Sequence, residues 1–203
     1  METASTMIRI GTPIPEFTLP DSRDGRICSV AELMGDKGLV VAFLSNHCPY
    51  VKLMRGAFAD FARAYLPRGI GVVAIMSNDV AAYPEDAPEH MRAVVRRQGF
   101  DFPYLYDETQ AVARAFSAAC TPDLFLFDAS GKLFYRGEFD GARPGNGVPV
   151  SGNSLRGAAD ALLAGEPPPA QQRPSLGCNI KWRRGNEPDY SGLSAGRFRD
   201  SGE

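Results

Sequence analysis

Two unbroken apolar runs set the frame of the chain. Leu39-Val40-Val41-Ala42-Phe43-Leu44 and Gly71-Val72-Val73-Ala74-Ile75-Met76 each read as a strand buried on both faces. Between them Tyr50, Leu53, Met54, Ala57, Phe58, Phe61 and Tyr65 recur at spacings of three and four, which predicts an amphipathic helix to about Leu66. Strand, helix and strand in that order form a βαβ unit with parallel pairing and a right-handed crossover. A polar loop, Asn78 to Pro88, leads into a helix that Gly99 ends. Phe102–Tyr106 predicts a short edge strand, because Pro103 has no N–H to give a ladder. A helix over Gln110–Phe116 follows. Leu124–Asp128 and Lys132–Phe139 then flank the turn Asp128-Ala-Ser-Gly131 and predict an antiparallel hairpin. Ser154–Leu163 is the last helical stretch, stopped by Gly165. The pattern as a whole is that of an α/β fold with a mixed central sheet flanked by helices.

The ends of the chain are patterned differently. Residues 1–9 read as a flexible leader. Gly11 to Asp21 is extended and punctuated by proline, and Asp24-Gly25 is a turn from which Arg26–Val30 returns as an N-terminal β-hairpin extension. Residues 10–165 form one domain in this reading. Glu166-Pro-Pro-Pro169 opens a stiff spacer, and Ser175–Trp182 is an apolar island expected to dock, so residues 166–182 are a C-terminal extension. Residues 183–203 read as a disordered polar tail.

Composition narrows the function. The 203 residues are 44% hydrophobic and 23% charged, enough for a real core, and the net charge of −2 gives no reason to expect a nucleic acid or an anionic membrane as partner. No apolar stretch approaches a membrane span, and the N-terminus lacks a basic-then-apolar leader, so a cytoplasmic setting with reduced thiols is expected. Cys28, Cys48, Cys120 and Cys178 lie 20, 72 and 58 positions apart, which matches no zinc ribbon or finger. No phosphate-cradling glycine motif follows a strand. Neither a metal nor a cofactor is therefore expected. Arg92, Arg96 and Arg97 read as a solvated helix face.

One stretch carries chemistry: Ser45-Asn46-His47-Cys48-Pro49-Tyr50-Val51-Lys52. Cys48 stands where the first buried strand gives way to the long helix, and Pro49 fits the first helical turn, where a missing N–H costs nothing. A thiol there faces unpaired backbone N–H groups and the positive end of the helix dipole, an environment that favours the reactive thiolate. His47, when protonated, and Lys52 add positive charge nearby.

Cys-Pro at the first strand-to-helix turn, with Thr121-Pro122 before the hairpin, resembles the thioredoxin superfamily, in its alkyl hydroperoxide reductase/thiol-specific antioxidant branch. The segments Asn46–Lys52, Ala119-Cys-Thr-Pro-Asp123 and Gly177-Cys-Asn-Ile-Lys-Trp182 together resemble a bacterial peroxiredoxin-like group, over roughly Ile10 to Trp182. The resemblance implies a thioredoxin-like fold, a cis Thr121-Pro122 bond and a loop lying against the Cys48 turn. Cys48 would be the nucleophile and Cys120 or Cys178 the resolving thiol. Ser45 stands at the hydroxyl position of a peroxiredoxin motif, while Val41 and Val51 replace its proline and the second cysteine of Cys-x-x-Cys. Thr121 would offer its backbone to an extended peptide. Three functions follow as expectations: thiol-disulfide oxidoreductase, thiol peroxidase with antioxidant activity, or a redox sensor without turnover. The partners implied are protein or small-molecule thiols and disulfides, or peroxide. Oligomeric state is left open.

Overall fold

A computed structural model describes residues 2–191. Its centre is a five-stranded sheet built from β4 (Gly38–Phe43), β5 (Ile70–Met76), β6 (Tyr104–Tyr106), β8 (Asp123–Asp128) and β9 (Leu133–Gly137), ordered β6-β5-β4-β8-β9. β5 pairs parallel with both β4 and β6, whereas β8 runs antiparallel to β4 and to β9. Helix α2 (Pro49–Tyr65) makes the crossover from β4 to β5, as the apolar pattern predicts.

Alternation along the strands divides the core in two. Val40, Ala42, Leu124 and Leu126 face α2, α3 (Pro88–Gln98) and α5 (Asn153–Leu163) together with Phe58, Met91 and Leu155. Leu39, Val41, Phe125 and Phe127 face the other way, toward Phe116 at the end of α4 (Ala111–Ala115) and Phe17 from the N-terminal hairpin. That hairpin pairs β2 (Thr18–Pro20) with β3 (Ile27–Ser29). The four-residue helix α1 (Val30–Leu33) follows, closed by a Ser29/Glu32 capping box.

A separate small sheet sits at the carboxyl end of β4. Its strands are β1 (Glu2–Ala4), β10 (Leu176–Asn179) and β7 (Cys120–Thr121), all antiparallel, with β10 in the middle. Two expectations are corrected here. Residues 1–9 are not merely a loose leader: Glu2–Ala4 covers the outer edge of β10, with Glu2 opposite Cys178. β10 would otherwise present unpaired N–H and C=O groups on that side. Nor is the chain from 183 irregular throughout. Asn186 Nδ2 donates to Thr109 O and Gln110 Oε1, and Tyr190 Oη donates to Ala113 O and Ala118 O. These side chains hold 183–191 against the end of α4. The rest of the expected tail, 192–203, lies outside the described residues. Arg92 also departs from the solvated face, since its Nε donates to Ser22 O at 2.8 Å.

Candidate functional site

Cys48 is the N-cap residue of α2, extended at φ −63° and ψ 124°, with Pro49 as the first helical residue. The strand β4 ends five residues earlier, so a rigid strand and a long helix fix the thiol from both sides. Cys48 is fully buried. Its Sγ donates to Thr121 O at 3.1 Å and lies 3.0 Å from Cys178 Sγ. The Thr121-Pro122 bond is cis.

Two of the three expected cysteines are thus brought together, and the third is turned away. In the β10–β7 ladder Cys178 stands opposite Thr121, and Asn179 opposite Cys120. Adjacent positions on a strand point to opposite faces, so the register that aims Cys178 at Cys48 carries the next residue away from it. Cys120 Sγ donates instead to the carbonyls of Pro122 and Ser175, at 3.4 and 3.9 Å. Burial, reinforced by the neighbouring Asp123 carboxylate, holds the Cys120 thiol well above the usual range. Burial also raises the Cys178 thiol, to about 12, helped by its contact with Cys48. Both are thiols, not thiolates, at neutral pH.

Gly177 makes this seating possible. A Cβ on that residue would lie 2.0 Å from Thr121 O and 3.1 Å from Pro122 Cδ, so only glycine lets β10 come this close. Farther along, Ile180 and Trp182 sink into the second core cluster beside Phe116 and Phe125.

The turn before Cys48 is held by Asp86, a residue of the polar loop that leads into α3. Asp86 is fully buried, and its carboxylate accepts from Asn46 N at 2.6 Å, from Asn78 Nδ2 at 2.6 Å, from Ser45 Oγ at 3.2 Å (Oδ1) and 3.1 Å (Oδ2), and from His47 Nδ1 at 2.8 Å. Burial alone would raise this carboxyl, but the donors from His47, Asn78 and Asn46 outweigh it and keep it below the usual range. His47 therefore serves as partner to a buried anion, and its ring stacks on Tyr83 at 5.2 Å. Ser45 is committed in the same way: its Oγ accepts from Cys48 N at 3.3 Å while its proton goes to Asp86. Asn78 Oδ1 also accepts from Lys181 N at 2.8 Å. One buried carboxylate is thus tied both to the Cys48 turn and, through Asn78, to Lys181, two residues past the strand bearing Cys178. Nothing local in Glu85-Asp86 marks this role; only the fold brings position 86 under position 46.

Residues 10–136 match the model of the AhpC/TSA family. Two solved structures span nearly the whole chain. One is an uncharacterized conserved protein from Geobacillus kaustophilus, 47% identical over 90% of this chain and 97% of its own, with a TM-score of 0.89. The other is a hypothetical protein from Sinorhizobium meliloti 1021, 50% identical over 90% of this chain and 100% of its own, with a TM-score of 0.88. A thiol:disulfide interchange protein of the thioredoxin family from Chlorobium tepidum TLS shares the fold at 22% identity, over 77% of this chain and 98% of its own, with a TM-score of 0.59. No curated protein matches. The fold and the cysteine turn are those of a thioredoxin-like, peroxiredoxin-like thiol protein, and the chain belongs to the AhpC/TSA family. Among the described residues no helix is long and apolar enough to cross a membrane, and no cluster of three metal-ligating side chains occurs.

Proposed function

We propose that the chain is a thiol-disulfide oxidoreductase in which Cys48 attacks and Cys178 resolves, working in the reducing cytoplasm. The observation that carries this is the 3.0 Å contact between the two sulfurs, set by the pairing of Cys178 with Thr121. A disulfide needs about 2.05 Å between sulfurs, so closure asks for a movement of about 1 Å. In the first step the Cys48 thiolate attacks one sulfur of a substrate disulfide, and the other half leaves as a thiolate. In the second, Cys178 gives up its proton and attacks Cys48 Sγ, forming the Cys48–Cys178 disulfide and releasing the second half. Two electrons pass from the protein dithiol to the substrate, and two protons end on the released thiols.

Family membership favours peroxide as a second electrophile, with a sulfenic acid on Cys48 condensing with Cys178. Two observations weigh against it: the Ser45 hydroxyl is engaged by Asp86, and among the described residues no guanidinium hydrogen-bonds to Cys48. Cys120 is a packing thiol in this reading, and Thr121 and Pro122 shape the floor under Cys48.

The test is trapping. With Cys178→Ser a small disulfide should leave a lasting mixed disulfide on Cys48, visible by intact mass, whereas the native chain should pass through it to the internal disulfide. Equal accumulation in both proteins would overturn Cys178 as resolver.

A further inference from the structure

The polypeptide slot beside Cys48 is already filled. β10 pairs with Thr121, the backbone an extended peptide would otherwise use, and β1 covers the far side of β10. Near the cysteine turn a cleft of about 260 Å³ opens between α2 and α3, lined by His47, Lys52, Arg55, Glu85, His90 and Arg97 among others. Its charge is one-sided. Lys52 and Arg55 come from the first two turns of α2, and Arg97 from the last turn of α3. Lys52, Arg55 and Arg97 pair with no carboxylate within 4 Å among the described residues. Glu85 is the one carboxylate on the lining, and its backbone carbonyl, not its side chain, ties it to Asn46. Three cations against one carboxylate thus line a single concave site next to the Cys48 turn. Such a cleft concentrates anions and speeds their encounter with whatever lies beside it.

We propose that this cleft takes the anionic end of a small carboxylate- or phosphate-bearing disulfide, with Arg55 and Arg97 as its principal contacts, and presents the disulfide to the Cys48 turn. This deepens the oxidoreductase reading and rests on it for the chemistry, which is the exchange already written. The bidentate geometry of guanidinium suits either oxyanion.

A charge series of similar size separates the possibilities: 3,3′-dithiodipropionate as dianion, bis(2-hydroxyethyl) disulfide as neutral, cystamine as dication. Each rate of Cys48–Cys178 oxidation is divided by the rate with a free model thiol. The dianion should exceed the neutral compound by about tenfold at low salt, and the advantage should collapse near 1 M salt, where the screening length falls to ~3 Å. The ratio should also fall toward one in R55Q/R97Q, and persist in Arg96→Gln, which lies outside the cleft. A flat series with all three compounds oxidising the pair overturns the cleft and leaves the oxidoreductase reading standing. Binding is read separately with Cys48→Ser and 3,3′-dithiodipropionate, or inorganic phosphate, by chemical-shift perturbation. If no disulfide oxidises the pair yet the dianion binds, and R55Q/R97Q abolishes binding, the cleft stands and the redox reading falls. If phosphate alone binds, the site is for a phosphate-bearing and not a carboxylate-bearing ligand. Absence of binding by either ion overturns the cleft.

Discussion

Two buried acids near the cysteine turn show how differently the same side chain behaves. Asp86 is surrounded by donors and stays an anion, so it can order Ser45, Asn46 and His47 ahead of Cys48. A carboxylate buried at this depth is tolerable only because its lone pairs are matched, and loss of such a match costs about 3–5 kcal/mol. Asp123 is equally buried but poorly matched: Oδ2 accepts from Ala119 N at 3.1 Å, while Oδ1 has no partner. Burial pushes its carboxyl up to about 7. The folded chain therefore keeps a proton there that the unfolded chain has lost between about pH 4 and about pH 7. Stability from this group is fully present below the ordinary aspartate value and is lost as pH rises through 7. Asp123→Asn should remove that slope, gaining on the native chain by a few kcal/mol between about pH 5 and about pH 8. Denaturant titrations at the two pH values check this, and parallel pH dependence in both proteins would refute it.

Among the elements, β10 decides whether a second thiol reaches Cys48. Three features seat it: the close approach at Gly177, the burial of Ile180 and Trp182, and the edge cover from β1, whose Glu2 side chain also hydrogen-bonds to Tyr50 at the start of α2. Gly177→Ala should force the strand off Thr121 without touching either sulfur. A misplacement of about 1 Å can cost about 100-fold in a step that depends on alignment, so resolution of the mixed disulfide should slow by one to two orders of magnitude while formation of the mixed disulfide proceeds. Stopped-flow kinetics with mass detection separates the two steps; an unchanged second step would show that the strand's seating is irrelevant.

At the scale of the molecule, the legible and illegible parts divide by how far apart in sequence the partners lie. The sheet and its helices were readable because each carries its own period: unbroken apolar runs for β4 and β5, spacings of three and four for α2. The cis Thr121-Pro122 bond was legible only through the family resemblance, and the burial of Ile180 and Trp182 accords with the apolar content of Ser175–Trp182. Which of Cys120 and Cys178 lies beside Cys48 was not legible, because it turns on a one-residue register between strands 57 positions apart (Cys178 opposite Thr121), which no local pattern encodes. β1 escaped for a related reason: three residues carry no period, and its partner lies at the other end of the chain. Asp86 is one acid of a polar loop in the sequence, and Ser45 and His47 read as groups for the thiol; only the fold sets all three together.

The central claim is that Cys48 and Cys178 form one redox couple. The direct measurement is an equilibrium titration in mixtures of reduced and oxidised dithiothreitol, with the bridged peptide quantified by mass spectrometry in the native chain, Cys120→Ser and Cys178→Ser. A single two-electron transition, tenfold per ~30 mV, is predicted for the native chain and for Cys120→Ser, and none for Cys178→Ser. A transition that survives loss of Cys178, or disappears with Cys120, would contradict the account.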